Sequence, residues 1–247
     1  GSEMCIRDRS CATTIYTNLD SVMLGFMATN ADVGYYGAAV KIKNILVSIV
    51  TSLGTVLLPR AAYYIEHQQM DEFQKLSRKA LNFVFIIASP MMIYFILFAK
   101  QGIFFLSGDA FAPAVVPMQL IMPTLLLIGI TNILGIQILV PLGYEKAVLV
   151  SEIVGAVIDL VVNALLIPVY QSSGAAIGTL LAEFAVMVVQ CIALKNEIKT
   201  AFSDIKYLKI ILAIIIASLA SFWVTALNLH VFITLVISAI LFFGVYG

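Results

Sequence analysis

Apolar residues run in long blocks along this chain, broken by short polar segments. Crossing about 30 Å of hydrocarbon takes roughly 20 helical residues, and eight stretches meet or approach that length. They are Ser10–Met27, Tyr36–Leu58 (closed by Pro59), Ala80–Ala99, Ala114–Leu139, Lys146–Ile167, Gly174–Leu194, Tyr207–Leu227 and Val231 to the end. The fourth carries Pro117 and Pro123 early and Pro141 just after it. The pattern predicts an all-α, polytopic membrane helical bundle of about eight transmembrane helices. Lipid leaves the helix as the natural spanning element, because it satisfies its own backbone.

The polar segments differ in charge. Those after spans two, four and six, with the start of span seven, hold Arg60, Lys75, Arg78, Lys79, Lys146, Lys195, Lys199, Lys206 and Lys209. Those after spans one, three, five and seven hold only Lys100. The positive-inside rule places the first set in the cytoplasm. The longest of these segments, Pro59 to Lys79, has Tyr64, Phe73 and Leu76 at helical spacing. It reads either as an amphipathic helix at the headgroups or as a solvated connector. Leu106 to Pro113 reads as an outer turn, from its Gly, Asp and Pro.

Composition agrees with lipid as the solvent. Apolar residues make up 62% and charged residues 11%, and mean hydropathy is +1.04. A soluble surface needs about twice that charge. Net charge is zero, which argues against nucleic-acid binding. Residues 1–10, GSEMCIRDRS, resemble a translated sequencing-adapter scar and are set aside as a non-native leader. Both ends of the chain read as truncated. Cys5, Cys11 and Cys191 show no metal-ligand or disulfide spacing, and Cys191 reads as a packed thiol. His67 and His230 fall on opposite predicted sides of the membrane, and no nucleophile, metal or phosphate-loop motif occurs. The chain is therefore expected not to be an enzyme, and to hold no metal or cofactor.

Candidate chemistry lies in the ionisable groups inside spans, which are costly in lipid and normally face a bundle interior or a watery cavity. These are Asp20, Lys41, Lys43, Glu152, Asp159 and Glu183, with Glu152 near enough to a span end to snorkel. By helical rise, Asp20, Lys41 and Lys43 lie at a common depth of about 8–10 Å from the outer side. Asp20 is expected to meet Lys41 or Lys43, either as a structural ion pair or as part of a cationic headgroup site. Polar stripes run beside them: Thr13, Thr17 and Asp20 on span one, and Lys41, Asn44, Ser48 and Ser52 on span two. Asp159 and Glu183 also share a depth, with Asn163 one turn from Asp159. Two carboxyls together in low dielectric should leave one holding its proton, as a proton-coupling site requires. The plainer reading is two polar groups at separate helix contacts. Gly174 and Gly178 form a GxxxG packing motif, and Pro90, Pro117 and Pro123 are points where helices can bend.

Several stretches carry a family resemblance: LDSVMLGFMATNADVGYYGAAVKI, VTSLGTVLLPRAAYY, FLSGDAFAPAVVPMQLIMP and LVPLGYEKAVLVSEIVGAVIDLVVNALLIPVYQSSGAAIGTLLAE. From Cys11 to Gly247 the chain resembles the C-terminal half of bacterial polysaccharide flippases (Wzx-type, the polysaccharide transporter branch of the MOP or MATE-like exporter superfamily). The resemblance implies a two-lobe transporter. Residues 11–194 would form its second six-helix lobe, and residues 195–247 a cytoplasmic linker with two additional helices. It also implies transport of undecaprenyl-diphosphate-linked oligosaccharide across the bacterial cytoplasmic membrane by alternating access, driven by an H+ or Na+ gradient. Polysaccharide polymerase and assembly proteins would be the partners. On that reading Lys41, Lys43, Asp20, Asn44, Ser48 and Thr17 line the substrate cavity. Asp159, Glu183 and Asn163 are the candidates for proton coupling. A cation-coupled multidrug exporter or a lipid II flippase of the same superfamily is the alternative. An integral-membrane polymerase or acyltransferase is a third reading.

Overall fold

In the computed structural model, residues 19–195, 202, 205, 207–227 and 229–247 are described, and among them every regular element is a helix. Residues 19–27 form α1. The remaining helices are α2 (Asn30–Glu66), α3 (Met70–Leu97), α4 (Ala99–Ser107), α5 (Val115–Ile121) and α6 (Thr124–Asn132), followed by the long run Glu145–Leu194. Gln171 interrupts that run with φ 50° and ψ −127°, making two helices, α7 (145–170) and α8 (172–194). The last two are α9 (Tyr207–Phe222) and α10 (Val231–Tyr246). A 3₁₀ turn (Asp109–Ala114) leads into α5, and a π-helix (Ile133–Leu139) ends α6.

Four helical stretches are long and apolar enough to cross a bilayer: Asn30–Glu66, Met70–Leu97, Glu145–Leu194 and Tyr207–Leu227. Asp109–Ile121 and Thr124–Leu139, bent by 42°, are long and apolar enough only when taken together, and Val231–Tyr246 is a shorter apolar helix. The chain is a multi-pass membrane protein. Span one lies half outside the described residues, as do the leader and most of the 195–206 linker.

Local chemistry explains the boundaries. Thr29 and Asp32 cap α2 reciprocally, each side chain bonding the other residue's backbone N–H. Pro123 lacks the N–H a helix needs there, and the 42° bend falls at that point. Pro59 does not close its span as expected; α2 runs through it to Glu66. Tyr63 and His67, stacked with centroids 4.1 Å apart, mark the helix end. The expected Pro59–Lys79 segment is thus the extended ends of α2 and α3 joined at residues 67–69. Its Glu72–Lys75 ion pair, at 2.7 Å, is exposed and worth little. The expected outer turn begins at Gly108, whose φ of 80° favours glycine.

Packing follows from helix faces. Leu24, Tyr36, Ile42, Leu81, Val84, Met118, Leu125 and Leu134 are buried together in one core. Val150, Ile153, Val157, Leu160 and Leu165 lie exposed along α7, as side chains facing lipid do. Cys191 is half-buried against the core. Tyr94 fastens α10 to α3: its hydroxyl donates to the Leu235 carbonyl and lies 3.0 Å from Ser238 Oγ. The Tyr246 hydroxyl donates to the Ile86 carbonyl at 2.9 Å.

The α7–α8 hairpin is the tightest contact. A Cβ on Gly174 would stand 2.5 Å from the Leu166 carbonyl oxygen and 2.9 Å from the Ile167 nitrogen. Backbone cannot swing aside as a side chain can. Gly174→Ala is therefore expected to cost about 1–3 kcal/mol and to lower the melting temperature in detergent. Gly37→Ala, with nothing within 4 Å of the new methyl, should leave it unchanged.

Candidate functional site

Asp20 projects from α1 into the interior and is 3% exposed. Three side chains from three other helices surround it. The Tyr36 hydroxyl of α2 donates to Oδ2. Asn163 Nδ2 of α7 donates to Oδ1 at 2.6 Å. The Thr179 hydroxyl of α8 lies 2.9 Å from Oδ2, 2.8 Å from the Tyr36 hydroxyl and 3.0 Å from the Ala175 carbonyl. Its one proton is shared among those acceptors. Donors from three helices thus converge on one carboxylate.

Asp159 stands one turn before Asn163 on α7 and is 0% exposed. Neither of its carboxyl oxygens has a hydrogen-bond partner among the described residues. Its strongest charged neighbour is Asp20, in carboxyl-to-carboxyl contact, followed by Glu183. Such a contact becomes a hydrogen bond only when a proton is shared, and a small cation can take the proton's place. Asn163 Oδ1 is likewise buried without a partner. Gly178 leaves the room for it, since a Cβ there would stand 2.0 Å from that oxygen. The GxxxG motif therefore serves packing at Gly174 and the polar cluster at Gly178.

Lys43 is the basic neighbour of the cluster. It is 8% exposed, and its strongest charged partners are Glu183, then Asp20 and Asp159. Lys41 lies elsewhere. Residues two apart point to different sides of a helix, and Lys41 is exposed with Asn44 and Ser48. The expected joint Lys41–Lys43 site with Asp20 is thus divided in two. Asp20 takes Tyr36, Asn163 and Thr179 as its partners and sits inside the lobe, away from the open stripe. Asn163 donates to Asp20 and is also a neighbour of Asp159, as expected. Asp159 and Glu183 are neighbours as expected, with Asp20 the stronger presence at Asp159. Thr17 lies outside the described residues. Sequence reasoning missed Tyr36 and Thr179; Thr179, five residues into span six and so near the depth of Asp20, carried a signal, whereas Tyr36, at the edge of span two, carried none.

A second feature borders the open stripe. An apolar cavity of about 390 Å³ lies between α2, α3, α4 and α10, lined by Ile42, Ile45, Tyr94, Phe105, Phe232 and Val236 among others. Ile45 is one turn from Lys41, so polar and apolar surfaces adjoin on α2.

A helical membrane bundle built around a buried acidic cluster is the class of protein the fold and site define. Comparison with known proteins narrows it. The family described as polysaccharide biosynthesis protein matches residues 8–116. An uncharacterized membrane protein of Methanocaldococcus jannaschii is 26% identical over 229 residues, covering 92% of this chain and 45% of that protein. A putative O-antigen transporter of Escherichia coli K12 is 24% identical over 186 residues, covering 75% of this chain and 45% of that protein. The chain spans about half the length of these curated relatives. Among solved structures, the lipid II flippase MurJ in an inward closed conformation matches with a TM-score of 0.74 at 14% identity, covering 95% of this chain and 50% of that one. An outward-facing multidrug resistance MATE family transporter of the MOP superfamily matches with a TM-score of 0.61 at 14% identity, over 96% and 61%. The chain is thus similar in sequence to a polysaccharide-biosynthesis family and to a putative O-antigen transporter, and it shares its fold with half of MurJ.

The Asp20 cradle makes a direct prediction. Asn163→Ala leaves Asp20 Oδ1 buried without a partner, which costs about 1–3 kcal/mol. A double-mutant cycle with Asp20→Ala, read by thermal unfolding in detergent, should show a coupling above about 0.5 kcal/mol. Additive effects would mean that the bond carries no stability.

Proposed function

We propose that the protein moves undecaprenyl-diphosphate-linked oligosaccharide across the bacterial cytoplasmic membrane by alternating access, coupled to an H+ or Na+ gradient. The observation that carries this reading is the sorting of polar groups on α2. Lys41, Asn44 and Ser48 lie on an open face, while Tyr36 and Lys43 turn inward to the acid cluster. An open stripe holding a lysine suits a diphosphate and its sugars. The adjoining apolar cavity suits the isoprenoid chain of the same molecule. The family match and the O-antigen transporter relative support the substrate class, and the MurJ-like fold supports a lipid-linked cargo. Polysaccharide polymerase and assembly proteins are the partners that receive such a product.

The sealed cluster is the coupling site on this reading. Asp20, Asp159, Asn163, Thr179 and the Ala175 carbonyl offer oxygens to a small hard cation, and Glu183 and Lys43 balance the charge around them. Loading the cluster changes the repulsion between Asp20 on α1 and Asp159 on α7. Transport needs that dependence, because the lobe's packing must differ with and without the ion.

The full-length protein in liposomes tests both parts. Leaflet exchange of a fluorescent undecaprenyl-diphosphate oligosaccharide is expected to fall at least tenfold in Lys41→Glu, with the variant still inserted. Asp159→Asn should remove the dependence of exchange on the H+ or Na+ gradient. Absence of exchange by the wild type, with transport of lipid II or of cationic drugs instead, would assign the protein to another branch of the superfamily.

A further inference from the structure

A cavity of about 330 Å³ lies between α4 and the turn that joins α9 to α10. Lys100, Gln101 and Phe104 line it from α4, and Asp109 from the 3₁₀ turn that follows. Thr225 lines it from a second 3₁₀ turn, Trp223–Leu227, and Val231 and Thr234 from the first turn of α10. Its size falls within the range of small-molecule pockets, about 300–1,000 Å³. On the orientation expected from the basic residues, both bordering turns are outer segments. Trp223, the one tryptophan of the chain, is exposed beside Thr225, as indole rings at the headgroup level are.

The charges in this cavity are held apart. Lys100 and Asp109 are both exposed, and among the described residues no ion pair joins them. Lys100 lies instead over the Phe104 ring, 5.5 Å from its centroid. A simple anion placed here would meet Asp109, and a simple cation would meet Lys100. A ligand that carries both signs is complementary to the pair.

The neutral groups favour an ammonium as its positive end. The Thr225 hydroxyl donates to the Phe222 carbonyl at 2.7 Å, and the Thr234 hydroxyl to the Leu229 carbonyl at 3.4 Å. Each proton is thus committed, and the oxygen is left to accept. Gln101 Oε1 is buried with no hydrogen-bond partner among the described residues, a condition that calls for an N–H or O–H donor. A primary ammonium supplies three N–H groups. The negative end has Lys100 and the N-terminus of the 16-residue helix α10, where backbone N–H groups and the helix dipole favour phosphate.

We propose that this cavity binds the zwitterionic phosphoethanolamine headgroup of a phospholipid in the outer leaflet. The phosphate lies against Lys100 and the start of α10. The ammonium takes Asp109, Gln101 Oε1 and the two threonine hydroxyls. A lipid seated there ties α4 to the α9–α10 hairpin at its outer end, while Tyr94 and Tyr246 fasten α10 to α3 at other levels. The site depends neither on the cargo nor on the acid cluster.

The test offers the full-length protein, purified in detergent, phosphatidylethanolamine, phosphatidylcholine or phosphatidylglycerol at equal concentration. Native mass spectrometry counts the lipid retained. Phosphatidylethanolamine is expected to be held at least about fivefold better than phosphatidylcholine, whose quaternary nitrogen has no N–H to give, and than phosphatidylglycerol, whose headgroup has no cation. Lys100→Ala should lower its retention by about the same factor. Asp109→Asn should erase the preference over phosphatidylglycerol. Both side chains are exposed, so the lipid-free variants should melt with the wild type. Equal retention of the three lipids would overturn the proposal. Retention that neither substitution changes would overturn it too, since the lipid would then be held elsewhere on the helix surface. A preference for phosphatidylglycerol that needs Lys100 would make this a simple anion site and overturn the zwitterion.

Discussion

The Asp20 carboxylate is the point on which the lobe is organised. A charge inside a bilayer costs several kcal/mol unless the protein surrounds it. Here Tyr36, Asn163 and Thr179 do so from α2, α7 and α8. None of these helices can turn about its axis without withdrawing a donor. The cluster thus fixes the rotation of four helices, a thing that apolar contacts in lipid do poorly, because lipid tails and leucines are equivalent neighbours. The small residues follow from the same demand. Gly174 brings α8 against the α7 backbone, and Gly178 opens a space that Asn163 fills.

Much of the architecture was legible because hydropathy reports a property of single segments. Among the described residues the apolar runs are helical, and Pro123 sits at a bend. Pro59 misled because a proline ends a helix only where nothing else favours continuing. In α2 the helix runs on past it to Glu66. The Gln171 break was visible only as a polar gap before Gly174; its positive φ follows from the tightness of the hairpin, which no local rule contains.

The site was half legible, for a geometric reason. Helical rise gives depth, and part of each expected pairing is found: Asp159 has Glu183 as a neighbour, and of the two lysines Lys43 is the one near Asp20. Depth says nothing of how neighbouring helices are turned. Asp20 was therefore paired with the lysines of the next span in sequence, although its partners include a tyrosine six residues into α2 and two residues more than 140 positions away. Lys41 and Lys43 looked alike in the sequence and differ in the fold, because two residues along a helix is more than half a turn.

That half turn has a mechanical consequence. α2 carries Lys41, Asn44 and Ser48 on one face and Tyr36 and Lys43 on the other, so a single rigid element touches both the open stripe and the sealed cluster. Any movement of α2 that shifts Tyr36 against Asp20 must also move Lys41. A helix held by Tyr36 alone at the cluster is easily turned; one held by Tyr36 and Lys43, a further two turns along, is not, and moves as a unit. Coupling between two sites requires an element with two arrangements that both sites bias. On the proposed reading α2 is the helix that would meet that requirement, with the acid cluster on one side and the exposed polar stripe on the other.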